Sequence, residues 1–350
     1  MSEQISKRKD DHIRITKEED VDCGDAGFDD VKLIHKALPE INKDEIDTSC
    51  RMLGKTLDAP ILIDSITGGS ERGKKLNRRL AAAAEECNIG IGVGSQRAAL
   101  EDGSLAETYS VVRDVAPTSL VYGNIGAAQL REYNIERLEE LVDMIDADAL
   151  AVHLNFAQEA AQPEGDVNAR GCISAMKDVV EMLSVPVMVK ETGCGISGSL
   201  AKKLSDIGVD IINTGGMGGT SWPYIESRRA EAVGHKKKAR VGRIFKSWGI
   251  PTAASVVETS EHHPYIVASG GIRSGLDIAK SLALGARAAA AAAPFLEPAL
   301  KNEDRVVGTV EAMVEELRTA MFVTGNKNLE DLNETETVIT GKLREYITSH

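Results

Sequence analysis

From residue 58 onward, short apolar runs alternate with longer stretches in which apolar positions recur at helical spacing. The runs cover 60–64, 89–93, 119–122, 149–154, 185–190, 209–213, 265–268 and 288–293. Each is apolar nearly throughout, as strands buried on both faces are. Helical periodicity fills the intervals 74–87, 135–145, 168–183, 200–207, 240–248 and 276–284. Pro186 and Pro251 are expected at strand starts, where a missing N–H is tolerated. The alanine run 288–293 is the weakest strand, because alanine favours helix, yet it falls where an eighth strand belongs. Eight buried runs with helices between them predict an α/β fold, a (β/α)8 TIM barrel over 58–350. Ahead of it lies a segment, 1–57, read as an N-terminal arm that caps the barrel. Residues 1–20 are charged and weakly patterned, an arm rather than a core element. An open Rossmann-type sheet would need GxGxxG between a strand and a helix. The run Gly90-Ile91-Gly92-Val93-Gly94 continues as Ser95-Gln96-Arg97, with no third glycine in register.

In such barrels the chemistry lies on the loops that follow strand C-termini. Those loops are rich in glycine and polar residues, among them Ser65-Ile66-Thr67-Gly68-Gly69, Gly94 to Arg97, Gly123-Asn124-Ile125-Gly126, His153 to Glu159, and 214–220. The loops from helix to strand are plainer, so one face is expected to hold a large ligand. Two Gly-rich turns could simply close tight loops. At positions seven and eight of a barrel, however, 269–275 and 291–294 point to a phosphate held by backbone N–H groups. Lys190 ends the fifth run. An inward lysine is expensive unless it faces an anion or a ring that accepts charge. A surface pair with Glu191 is the alternative, but adjacent strand residues point to opposite faces, which favours a flavin ring or a phosphate. His153 and Asn155 share a face at the end of the fourth strand, with Gln158 and Glu159 just beyond. A lone histidine there reads as a core residue; four polar groups at a barrel mouth read as a site. Glu159 is the natural Mg2+ ligand, since a diphosphate-bound Mg2+ takes one or two protein carboxylates. No isolated aspartate pair marks a strong acid at the strand ends.

Composition is that of a folded protein, 42% hydrophobic and 27% charged, and the net charge of −13 comes without a basic stripe. Nucleic acid is therefore not an expected partner. An anionic substrate would need a local cationic pocket, which Arg8, Lys9, His12 and Arg97 can supply. Lys236-Lys237-Lys238 reads as ordinary exposed charge. The five cysteines are scattered and fit reduced thiols in a cytoplasmic protein. The polar N-terminus lacks the apolar stretch of a signal peptide. The longest apolar run, 288–296, is too short to span a bilayer. Segment 221–240 reads as a loop long enough to form a lid.

The ordered set Arg8-Lys9-x-x-His12, Thr67-Gly68-Gly69, Ser95-Gln96-Arg97, Gly123 to Gly126, His153-x-Asn155-x-x-Gln158-Glu159, Val189-Lys190-Glu191, Gly216-x-Gly218-Gly219-Thr220-Ser221-Trp222 and Ser269-Gly270-Gly271-Ile272 resembles the type 2 isopentenyl-diphosphate isomerases. The resemblance implies an FMN enzyme that interconverts isopentenyl and dimethylallyl diphosphate. Reduced FMN would act as acid and base, Mg2+ would sit on the diphosphate, and NADPH would only reduce the flavin. It implies Arg8, Lys9, His12, Ser95, Gln96, Arg97 and Gln158 at the substrate, and Glu159 at the metal. FMN would contact Ser65, Ile66, Thr67, Gly68, Ser95, Asn124, Lys190 and Thr220, with Gly271, Ile272, Arg273, Ala292 and Ala293 around its phosphate. Gln158 would lie over the reacting carbons, with His153 and Asn155 completing the catalytic set. Ile66 stands where family members usually have methionine. A homo-oligomer, tetramer or octamer, is also implied. The rival FMN 2-hydroxy-acid oxidases need a His base and an Arg after the sixth strand, and the related nucleotide dehydrogenases need a Cys there. Residues 214–220 contain none of these.

Overall fold

The computed structural model describes residues 2–348, with side chains from Arg8 onward. Eight parallel strands close into a barrel: β1 (Ile61–Ile63), β2 (Gly90–Gly92), β3 (Val121–Gly126), β4 (Ala149–Leu154), β5 (Val187–Glu191), β6 (Ile211–Asn213), β7 (Ile266–Ser269) and β8 (Ala288–Ala291). Each pairs with its neighbour in sequence, and β8 closes on β1 in the register Ala289↔Ile61 and Ala291↔Ile63. Helices from Glu71–Glu86 round to Glu303–Thr324 cover the outside. The sequence runs therefore land on all eight strands.

The alanine strand shows why small residues serve here. Ala288 and Ala290 belong to the cluster inside the barrel with Leu62, Tyr122 and Met188. Ala289 and Ala291 belong to the layer between strands and helices. Two-residue alternation thus holds even in a homopolymeric strand, and tertiary pairing overrides alanine's helical preference. Gly92 meets the same crowding: a Cβ there would lie 2.1 Å from the Tyr122 ring.

The segment 1–57 divides between the two ends of the barrel. A hairpin, Cys50–Met52 paired with Lys55–Leu57, plugs the end where the strands begin. Met52 and Leu57 are buried in the interior cluster. Lys55 donates to Ser119 O and Tyr265 donates to Arg51 O, pinning the plug to strand starts. At the opposite end lies helix α1 (Ser2–Glu18). Ile13 and Ile15 are buried, Ile15 against Val21 and Ile225. The expectation of an unpatterned arm is corrected: few apolar positions suffice when a tertiary partner covers them.

Around the mouth stand α2 (Phe156–Ala161), α3 (Trp222–Ala232) and α4 (Lys236–Ile244), followed by α5 (Gly275–Ala283) after β7 and α6 (Ala293–Lys301) after β8. Segment 221–240 is therefore a helix pair rather than a loop, started by Ser221, whose hydroxyl accepts from Tyr224 N. The helix expected at 240–248 begins earlier, because the His235 ring accepts from Lys238 N. Lys238 donates to Ala160 O, so one of the three lysines ties α4 to α2. Pro251 starts the helix Thr252–Ser260 instead of a strand.

Candidate active site

A cavity of about 560 Å3 opens at the C-terminal ends of the strands. Its floor is built by strand ends. Lys190, at the end of β5, is buried; its ammonium donates to Glu191 O at 3.0 Å and lies 3.4 Å from Asp64 Oδ2. Asp64 follows β1, and its Oδ1 accepts from Tyr122 Oη (3.0 Å) and Ser65 N (2.8 Å). His153 meets Asn124 Oδ1 through Nδ1 at 2.7 Å. Burial, with Lys190, Lys9 and Arg8 nearby, lowers its pKa to about 3, so the ring is neutral at ordinary pH. Glu191 Oε2 accepts from Thr192 N and Gly193 N, both at 2.6 Å, and from Cys194 N. Burial outweighs these donors and lifts its pKa to about 7.

One side of the cavity is a cradle of backbone and small residues. Gly270 and Gly271 turn at φ +98° and +69°, values that side chains rarely adopt. The two neighbouring helix starts differ. The N-terminus of α5 is closed by a reciprocal capping box of Ser274 and Asp277. The N-terminus of α6, at Ala292, has no side-chain cap among the described residues. Free N–H groups at a helix start attract an anion. Ser65 Oγ, in the cavity wall, is buried and finds no partner among the described residues; Thr67 Oγ1 is unmet too but lies behind the wall. An unmet hydroxyl, a buried ammonium and an uncapped helix start fit a polar ring system carrying a phosphate, as FMN does.

The other side is roofed by α1, α2 and α3. Arg8, Lys9 and His12 line the cavity from α1, and Arg97 lines it while paired to Glu101. Burial, then Arg8, lowers the Lys9 pKa to about 7. His12 Nε2 lies 2.8 Å from Glu226 Oε1, and its ring stands edge-on to Trp222 at 5.1 Å. The same Glu226 oxygen accepts from Gln158 Nε2 at 3.2 Å, and Glu226 Oε2 accepts from Arg229 at 2.6 Å. Burial alone would raise the Glu226 carboxyl, but His12 and Arg229 together hold it at about 2. Glu159 accepts from Asn155 Nδ2 (2.9 Å) and Asp166 N (2.8 Å), while burial raises its pKa. Among the described residues no group of three metal-type side chains forms a cage. One carboxylate at a cavity edge suits a Mg2+ carried in on a diphosphate.

Most residues singled out in the sequence line this cavity; Gln96, Thr67 and Gly68 do not. Gln96 is buried behind the wall, donating to Leu141 O and accepting from Asn124 N. Its neighbours Ser95 and Arg97 line the cavity, while Gln96 sits at the turn into the short helix Arg97–Glu101 with its side chain directed into the wall. Thr67 lies behind the wall with its carbonyl accepting from Gly94 N, and Gly68 packs on Tyr109. Arg273 lines the cavity but is tied outward to Asp22. Sequence reasoning did not assign Asp64, Glu226 or Gln162. Nothing separates Glu226 from a surface charge in Glu-Ser-Arg-Arg-Ala-Glu, and Asp64 reads as a strand end.

The FMN-dependent dehydrogenase family matches residues 139–339. The isopentenyl-diphosphate delta-isomerase of Halobacterium salinarum is 54% identical over 348 residues, covering 99% of this chain and 97% of the relative. That of Methanosarcina mazei is 50% identical and covers 99% and 95%. Among solved structures, a flavocytochrome b2 with pyruvate bound superposes with a TM-score of 0.68 at 16% identity, covering 95% of this chain and 84% of that one. A mandelate oxidase with an FMN adduct gives 0.60 at 17%, covering 90% of each. At that identity the likeness is one of fold.

Proposed function

Because the chain belongs to the isopentenyl-diphosphate delta-isomerases, on a barrel of the FMN-dependent dehydrogenase kind, we propose that it interconverts isopentenyl and dimethylallyl diphosphate by moving protons at a bound reduced FMN. The observation that carries this reading is a single cavity with two unlike walls. One has a cradle of turns, an unmet hydroxyl and a buried lysine; the other has cations for a diphosphate.

Ser65, Ile66, Asn124, Lys190 and Thr220 would hold the ring, with 270–273 and the start of α6 at its phosphate. Reduced FMN, when bound, supplies an acid and a base with no net redox change, and NADPH serves only to reduce it. Arg8, Lys9, His12, Ser95 and Arg97 would bind the diphosphate, and its charge would keep Lys9 protonated. Glu159, fixed by Asn155, would take Mg2+ on the same group. Gln158, held by Glu226, would sit over the reacting carbons. Its amide accepts positive charge nearby without becoming a competing acid. Neutral His153 adds no cation to oppose the one that develops there. Trp222 offers an aromatic face to it, and α1 keeps out the water that would quench it.

The reading includes a cytoplasmic homo-oligomer. No helix among the described residues is long and apolar enough to cross a membrane. Val241 and Ile244 on α4, with Phe245 and Trp248 just past its end, are exposed apolar residues, Ile244 and Trp248 more than 60% exposed. Between 232 and 257 there are six cations and no carboxylate, in a chain of net charge −13. Two such surfaces facing each other would oppose like charges, so a contact made here would be head-to-tail, these cations meeting carboxylates elsewhere on a second copy. Trp248→Glu should lower the sedimenting mass; an unchanged mass removes this surface.

The decisive experiment is anaerobic incubation with FMN, NADPH, Mg2+ and isopentenyl diphosphate. We expect dimethylallyl diphosphate to form without stoichiometric loss of NADPH. Bound, reduced flavin without product would leave the cofactor and overturn the substrate.

A further inference from the structure

The floor of the cavity holds more charge than binding a ring requires. Lys190 is the cation there, with the Asp64 carboxylate at 3.4 Å and the backbone carbonyl of Glu191 accepting from its ammonium. Glu191 spends one oxygen on three backbone N–H groups of its own loop, and burial moves it toward its protonated form. His153, on the neighbouring strand, is neutral. Tyr122 keeps its phenolic proton, because burial and the Asp64 carboxylate raise its pKa well above the ordinary value. Asp64 is the carboxyl group that reaches Lys190, fixed by donors from Tyr122 and Ser65.

This geometry makes Asp64 more than a structural anion. It reaches the ammonium from the cavity floor with an oxygen that has no other hydrogen-bond partner among the described residues, and it is only 7% exposed. Little solvent screens the pair. A ring resting on the floor therefore meets a lysine whose charge is largely offset.

We propose that Asp64 is a positioning residue that acts through Lys190, reducing the positive charge the floor presents and so holding reduced flavin in its protonated, neutral form. The inference rests on the FMN reading above. A bare Lys190 would stabilise the anionic reduced ring and make its proton easier to lose. An offset Lys190 leaves that proton on the ring, where a reaction that delivers protons to an alkene needs it.

The test is spectroscopic and needs no turnover. The FMN-loaded protein is reduced anaerobically and its absorbance followed against pH, for wild type, Asp64→Asn, Lys190→Met and the double variant. Asp64→Asn should lower the pKa of the bound reduced ring by about one unit, the scale of one nearby charge, and raise the flavin midpoint potential. In the Lys190→Met background the same change should have little effect, since the ammonium through which Asp64 acts is gone. Equal shifts in both backgrounds would show that Asp64 acts independently of Lys190. No shift in either would remove it as a tuning group. Should Asp64→Asn fail to fold, Tyr122→Phe takes its place: loss of that donor should concentrate charge on Asp64 and move the ring pKa slightly upward, and no movement overturns the proposal. Wild type that retains no FMN would instead refute the cofactor reading.

Discussion

The two ends of the barrel are closed by parts of the same N-terminal segment, in opposite ways. The hairpin at the strand starts is an apolar plug, with Met52 1% and Leu57 0% exposed. The helix at the mouth, α1, buries two isoleucines but otherwise engages through His12–Glu226 and cations that line the cavity. Apolar burial is non-directional and permanent. Hydrogen-bonded closure depends on partners whose protonation and occupancy change. One end serves stability and the other serves chemistry, and substitutions should separate the two.

Leu57→Ala should cost about 3 kcal/mol of stability, the scale for a buried leucine. Turnover of the folded fraction should stay unchanged; denaturant unfolding with an assay on the same sample checks both. Gln158→Asn should do the reverse, lowering kcat by about a hundredfold, as small misplacements of a positioned group do, with FMN content and Tm unchanged. If Tm falls as well, the mouth is also part of the stabilising core. The pH profile sharpens the contrast further. Lys9 loses its proton near 7 in the free protein, and substrate binding needs the charged form. Its pKa lies below the unfolded value, so raising pH through 7 discharges the lysine and weakens diphosphate binding. KM should rise by up to about tenfold per pH unit above 7, and Lys9→Met should flatten that slope. Smallest of all, Glu159→Gln should raise the Mg2+ concentration for half activity several-fold, by about 1 kcal/mol. An unchanged Mg2+ titration would remove Glu159 as a ligand.

The eight strands were legible because each is buried on both faces, which writes a continuous apolar run into the sequence. Even Ala288–Ala291 was legible by position, although its composition speaks for helix. What could not be read depends on tertiary partners. The mouth helix α1 has too few apolar residues to announce itself, since Ile225, its partner for Ile15, lies far along the chain. Pro251 fits a strand start and a helix start equally well, and only the fold decides. In the site, the Ser95-Gln96-Arg97 motif brings Ser95 and Arg97 to the cavity and turns Gln96 into the wall, where it meets Leu141 O and Asn124 N. Glu226 was invisible because its burial comes from α1 and α2 lying over it. Asp64 was hidden because its meaning depends on Lys190, brought alongside by barrel closure.

The tie between His12 and Glu226 joins residues 214 positions apart. During synthesis, the helix that supplies the entrance cations emerges first, yet its docking surface on α3 is made only after six strands are complete. A chain growing at about ten residues per second must therefore hold this helix in waiting for some twenty seconds. Contacts of such long range form late and slowly. Barrel assembly and entrance closure should then be separate kinetic phases in refolding, and a newly folded barrel will accept its cofactor through a doorway not yet shut.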